Sequence, residues 1–208
     1  MAADSPSTPR NTAPSAPRRL LSRVRDVMAG GGETDIRLDH IAGIVAVDMV
    51  AEVCSIYVRR PGDVLELTAT HGLRADAGHN TRLNIGEGIV GDVAAKARAF
   101  ALAEARSHPN FAYRPETGEE AFQSMAGVPI LRDGRVVGVL AIQNRTQRHY
   151  DEEEIETLQT VAMVLAELVV GSAAGVPTAR EPARPDASRT LRVDGVRLNA
   201  GLGIGLDC

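Results

Sequence analysis

The chain contains two β-hairpins, and each is flanked by a segment of helical period. Val53–Arg59 (VCSIYVR) and Val64–His71 (VLELTATH) are rich in β-branched residues, with Arg60-Pro61-Gly62-Asp63 between them. That pattern predicts two antiparallel strands and a turn. Ser124–Leu131 (SMAGVPIL) and Arg135–Gln143 (RVVGVLAIQ) predict a second hairpin across Arg132-Asp133-Gly134. Before the first hairpin, Asp35–Val50 reads as a helix. Ile36, His40, Gly43/Ile44 and Val47 form one stripe, and Leu38, Ile41, Val45 and Met49 widen it. After the second, Asp151–Val170 reads as the longest helix. Asp151 is its N-cap, and Glu154 completes a capping box. The order is helix, two strands, long connection, two strands, helix. It predicts an α+β fold in which helices pack on one antiparallel sheet.

Five regions follow from this pattern. Residues 1–19, rich in Pro, Ser, Ala and Thr, are expected to be a disordered tail. Residues 20–33 are expected to form a short amphipathic helix ended by Gly30-Gly31-Gly32. Residues 34–170 form the compact domain. Residues 171–190 read as a Pro/Ala/Arg linker, and 191–208 as the truncated start of a following domain. The net charge of -4, the 3% aromatic content and the lack of tryptophan disfavour a nucleic-acid or anionic-membrane binder. No apolar run approaches the roughly 18 residues of a membrane helix. The cysteines, Cys54 and Cys208, give no disulfide framework and no CxxC spacing, so the cytoplasm is the expected compartment.

The connection between the hairpins holds most of the candidate chemistry. Phe100, Phe111, Tyr113 and Phe122 are interleaved there with Glu104, Arg106, Asn110, Arg114 and Glu116, and Ser124 follows. Apolar walls with a few charged groups suit a small polar ligand. An arginine would hold a carboxylate bidentately, and a glutamate an ammonium. The other reading is a loop that docks its aromatics on the sheet and leaves its charges in water. Gly86-Glu87-Gly88-Ile89-Val90-Gly91 reads as a glycine turn into a short helix at Asp92–Arg98, or as helix-start amides offered to an anion. It lacks the Lys-Ser/Thr of a P-loop. Cys54 reads as a core thiol, and His71 and His108 lack partners at metal-ligand spacing, so neither metal nor cofactor is expected. On the last helix, Ile155, Leu158, Ala162, Leu165 and Val169 repeat at heptad spacing. They are a candidate face for homodimerisation, with Leu20–Met28 beside it.

Asn144-Arg145 at the end of the last strand and Tyr150-Asp151-Glu152-Glu153 at the start of the last helix resemble the signature of GAF domains. The resemblance covers about Asp35–Val170. It implies an antiparallel sheet with the N- and C-terminal helices on one face and a ligand-pocket segment on the other. Cys54-Ser55-Ile56-Tyr57, His71-Gly72-Leu73, Gly86–Gly91, Ser107-His108-Pro109, Glu116–Glu120 and Gly127–Ile130 occur in an order similar to the regulatory GAF domain of nitrogen-branch enzyme I. That family consists of phosphoenolpyruvate–protein phosphotransferases, and Gly201–Gly205 resembles the entry to its phosphotransfer region. The resemblance implies a cytoplasmic sensor of a nitrogen-status metabolite, with glutamine first and 2-oxoglutarate as a further candidate. None of His40, His71, His79, His108 and His149 lies in the family's Gly-rich Thr-Ser-His context. Catalysis and the phosphocarrier partner would then fall to regions that this chain lacks. The alternatives are a ligand-free homodimerisation module or a free methionine sulfoxide reductase acting through Cys54.

Overall fold

A computed structural model describes residues 15–73, 81–111 and 122–174. Its elements are α1 (Ala16–Ala29), α2 (Thr34–Asp48), β1 (Val53–Arg60), β2 (Val64–His71), β3 (Arg82–Asn84), α3 (Gly88–Lys96), β4 (Phe100–Leu102), β5 (Ser124–Arg132), β6 (Arg135–Asn144) and α4 (Glu152–Ala174). Six strands form one antiparallel sheet in the order β3-β2-β1-β6-β5-β4. Both expected hairpins are present, and β1 and β6 pair at the centre.

Strand alternation sends successive side chains to opposite faces. Cys54, Ile56 and Val58 of β1 and Leu140 and Ile142 of β6 face the layer made by α1, α2 and α4. Tyr57, Val139 and Ala141 face the other side, which α3 covers. Two bulges change the parity. Thr68 is the extra residue where Ile56 pairs with Ala69 and Tyr57 with Leu67. Leu67 therefore joins the α3 side while Ala69 joins the helix layer. Val137 plays the same part in β6, opposite Ile130 and Leu131. Beside it, a Cβ on Gly138 would lie 2.4 Å from the Tyr57 carbonyl, so glycine alone admits the close approach of β1.

Three expectations change. The helix α1 begins at Ala16, inside the expected tail, because Pro17 is tolerated in a first turn and Leu20 and Val24 anchor the helix. Residues 1–14, and the linker and truncated domain expected beyond 174, lie outside the described residues. In α2 the inward stripe is Leu38, Ile41, Ala42 and Val45, whereas Ile36 and Val47 are 64% and 62% exposed. The helix is apolar around most of its circumference, so periodicity could not choose its inner face. The candidate dimer face on α4 is core of its own chain. Leu158, Ala162, Leu165 and Val169 are at most 1% exposed, and Ile155 packs against the same cluster. The α1 helix, expected beside a partner chain, supplies part of that cover through Leu20 and Val24.

The signature at the end of β6 is a structural knot. Asn144 Nδ2 donates to Val50 O at 2.9 Å and to Glu52 Oε2 at 2.6 Å, while Asn144 Oδ1 accepts from Tyr150 Oη at 2.9 Å. Arg148 donates to Met49 O and Val50 O, both at 2.8 Å, and pairs with Glu154. Val50 has φ 50, a left-handed conformation that a β-branched residue rarely adopts. The two side chains gripping its carbonyl hold the chain in that reversal. Asp151 and Glu154 form the capping box: Glu154 N donates to Asp151 Oδ1 at 2.8 Å, and Asp151 N to Glu154 Oε2 at 3.0 Å.

Candidate functional site

The sheet face opposite the α1/α2/α4 layer carries a small cavity of about 40 Å³. Tyr57, Met125 and Gln143 form its floor from β1, β5 and β6. Thr81 and Leu83 close one side, and the start of α3 closes another. Ala105, Phe111 and Phe122 form the wall on the far side. Among the described residues no charged side chain lines it. Its polar groups among the described residues are the Tyr57, Thr81 and Ser124 hydroxyls, the Gln143 amide and the backbone of the α3 start.

That helix start is built by the glycine segment. Glu87 folds its carboxylate back onto Asn84, accepting from the Asn84 backbone N and Nδ2 at 2.9 Å each. Gly86 N donates to Gly91 O at 2.9 Å, and Gly91 N makes the first helical bond to Glu87 O at 3.1 Å. A Cβ on Gly91 would lie 2.7 Å from Asn84 O and 2.9 Å from Gly86 N, so the turn requires glycine there. The amides of Gly88, Ile89 and Val90 precede the first helical bond, and all three residues line the cavity. Uncapped first-turn amides at the positive end of a helix favour a carboxylate or another anion.

The structure redistributes the sequence candidates. Phe111, Phe122 and Ser124 come together at the cavity. The Ser124 hydroxyl is committed elsewhere, however, donating to Thr146 O at 2.8 Å beside Tyr150 Oη at 3.4 Å. Burial raises the Tyr150 hydroxyl's pKa, with the Ser124 hydrogen bond opposing the shift. Glu104 and Arg106 are exposed and do not line the cavity. Asn110 turns to Asp92, donating from Nδ2 at 2.8 Å. Tyr113, Arg114 and Glu116 lie outside the described residues. Tyr57, Thr81, Met125 and Gln143 went unread as site residues. For Tyr57 and Gln143 a signal existed, because each alternates with an isoleucine, Ile56 or Ile142, that faces the helices.

Cys54 is fully buried in the helix-side cluster, across the sheet from the cavity, and burial pushes its thiol well above the ordinary value of 9.0. A nucleophilic thiolate is unavailable there. Cys208 lies outside the described residues. No three His, Cys, Asp or Glu side chains among the described residues are grouped to hold a metal ion. No helix there is long and apolar enough to cross a membrane.

The sequence profile of the GAF domain family matches residues 34–169. The phosphoenolpyruvate-dependent phosphotransferase system protein of Escherichia coli K12 is 36% identical over 155 residues, covering 72% of this chain and 21% of that protein. The chain thus spans about a fifth of the length of the curated relatives it matches. The GAF domain of a phosphoenolpyruvate-protein phosphotransferase from Coxiella burnetii superposes with a TM-score of 0.70 at 29% identity, covering 77% of this chain and 98% of that one. Free methionine-R-sulfoxide reductase from Neisseria meningitidis, at 22% identity and a TM-score of 0.66, covers 80% of this chain and 96% of its own, and shares the fold.

Proposed function

This chain belongs to the GAF domain family, and from that premise we propose that it is the small-molecule-sensing regulatory domain of a phosphoenolpyruvate–protein phosphotransferase, with glutamine as its ligand. The observation that carries the reading is the cavity at the start of α3, where no side-chain cap bond is made among the described residues, in a chain related to the GAF domains of such enzymes. The Gly88, Ile89 and Val90 amides would receive the ligand's α-carboxylate. Of the two arginines expected as a carboxylate seat, Arg106 does not line the cavity and Arg114 lies outside the described residues. The Thr81 hydroxyl and the Gln143 amide would meet a neutral side-chain amide, and the apolar floor would exclude water. The described wall offers one anion seat and no cationic side chain. Among the described residues a second carboxylate, as in glutamate or 2-oxoglutarate, would find no cationic partner, and burying it unpaired is costly.

A signal would pass through the sheet. Gln143 faces the cavity, and its neighbour Asn144 bonds to Tyr150 at the start of α4. A ligand that binds one setting of this unit more tightly would shift the balance between settings, and by no more than that difference in affinity. The test is isothermal titration with glutamine, glutamate and 2-oxoglutarate. Saturable binding of glutamine, at least about tenfold tighter than the other two, is expected. Equal binding of all three, or of none, would refute the reading.

A further inference from the structure

The α3 helix also carries a buried carboxylate that does not line the cavity. Asp92 is 4% exposed, one turn into the helix. It accepts from Asn110 Nδ2 at 2.8 Å and Lys96 Nζ at 3.1 Å, and His108 Nε2 stands 4.0 Å away. His108 Nδ1 accepts from Asn110 N at 3.3 Å, which leaves the ring proton on Nε2, facing Asp92. The same ring meets Phe100 edge-on at 5.9 Å, and Lys96 and Arg98 lie over Phe100 at 5.0 and 5.2 Å. Two of the three groups around Asp92 thus come from residues 108–110.

That stretch joins two parts of the cavity wall, Ala105 and Phe111. Its backbone is held mostly to itself: Ser107 N to Glu104 O, His108 N to Ala105 O and Phe111 N to His108 O. Ala105 N to Gln123 O, at 2.6 Å, is its backbone bond to β5's approach. Residues 105–107 form a 3₁₀ turn, and the stretch pairs with no strand among the described residues. Beside the apolar packing of Ala105 and Phe111 on the α3-side cluster, side-chain anchoring to Asp92 holds this wall against α3.

We propose that Asp92 is a positioning residue: through Asn110 and His108 it latches the 105–111 wall and sets how readily the cavity opens. The consequence for binding rests on the reading of the cavity as the ligand site. A cavity of about 40 Å³ is small for an amino acid, so outward movement of this wall would make room for one.

The test is native-state hydrogen exchange on the full chain without ligand, comparing wild type, Asn110→Asp and the swap Asp92→Asn/Asn110→Asp. Asn110→Asp sets a second carboxylate against Asp92. It should speed exchange of the Ser107, His108 and Phe111 amides about tenfold while β1 and β6 amides keep their rates. The swap restores an amide–carboxylate pair with its ends reversed, and should return those three amides to within about threefold of wild type. Unchanged rates in Asn110→Asp, or no recovery in the swap, would overturn the latch. If acceleration spreads to β1 and β6, the swap still decides: recovery supports the direct pair, and its absence defeats it. A wild-type protein that gives no heat with glutamine would defeat the ligand and leave the exchange result to judge the latch.

Discussion

Asn144 is 7% exposed and joins the end of α2, the last strand and the start of α4, so Asn144→Ala tests whether the signature at this point is structural. The substitution removes three bonds of ordinary length, to Val50 O, to the Glu52 carboxylate and from Tyr150 Oη, and a long one from Arg148 at 3.4 Å. A neutral bond contributes about 1 kcal/mol net and a charge-assisted one about 2, so the additive sum is about 4 kcal/mol. Each stranded group keeps a second partner. Val50 O still has Arg148 at 2.8 Å, Glu52 has Arg145 N at 3.3 Å, and Tyr150 has Ser124 at 3.4 Å. The expected loss is therefore about 2–3 kcal/mol, or a melting midpoint lower by about 5–10 °C for a chain of this size. Urea unfolding followed by far-ultraviolet circular dichroism measures it, since the chain has no tryptophan. The urea slope should stay constant while the midpoint moves. Asn144→Asp keeps an acceptor for Tyr150 but sets a carboxylate against Glu52, and should be no more stable than the alanine variant. A loss below about 0.5 kcal/mol, or an aspartate variant clearly more stable than alanine, would refute the reasoning.

Two further outcomes follow from buried groups. Glu66 is 8% exposed; burial alone would raise its pKa, but Arg60 and Arg82 outweigh burial and hold the carboxyl below its ordinary 4.5. A depressed folded value gives stability that is complete above the unfolded value and lost as pH falls through the folded one. Melting midpoints from pH 7 down to pH 3 should therefore fall less steeply in Glu66→Gln than in wild type, starting from a lower value at pH 7; parallel curves would contradict this. Asp92 has the same sign, with burial outweighed by the Lys96 and Asn110 hydrogen bonds, so some acid sensitivity remains in that variant. Cys54 should resist a thiol reagent in the native protein and react only on unfolding, as read by peptide mapping. Modification at the native rate of an exposed thiol would place it wrongly.

Much of the fold is legible in the sequence, because its signals are local. Both hairpins are marked by β-branched runs around Gly-containing turns, and the α4 start is marked by the Asp151–Glu154 box that the backbone uses. The α2 face was not legible, because Ile36 and Val47 look as apolar as Leu38 and Ile41, and only the position of the sheet separates them. The α4 stripe misled for a related reason. Heptad spacing records a buried seam without saying whose surface buries it, and here the cover comes from the sheet, α1 and α2. Bulges at Thr68 and Val137 shift strand parity, which a period-two reading cannot anticipate. The β3 strand, Arg82–Asn84, is too short to leave a pattern. At the site, composition pointed to the aromatic connection, and Phe111 and Phe122 do reach the cavity. Glu104 and Arg106 do not, because the direction of a turn follows tertiary contacts distant in sequence, such as Asn110 to Asp92 18 positions away.

The central claim is that a small metabolite seats in the cavity at the start of α3. Amide chemical shifts of the isotope-labelled 208-residue chain, titrated with glutamine, test it most directly. Saturable shifts are expected at Gly88, Ile89 and Val90, with Thr81 and Phe111 following and Leu158 and Leu165 in the helix layer unmoved. Shifts centred on the α1, α2 and α4 face, or none at any concentration, would contradict it.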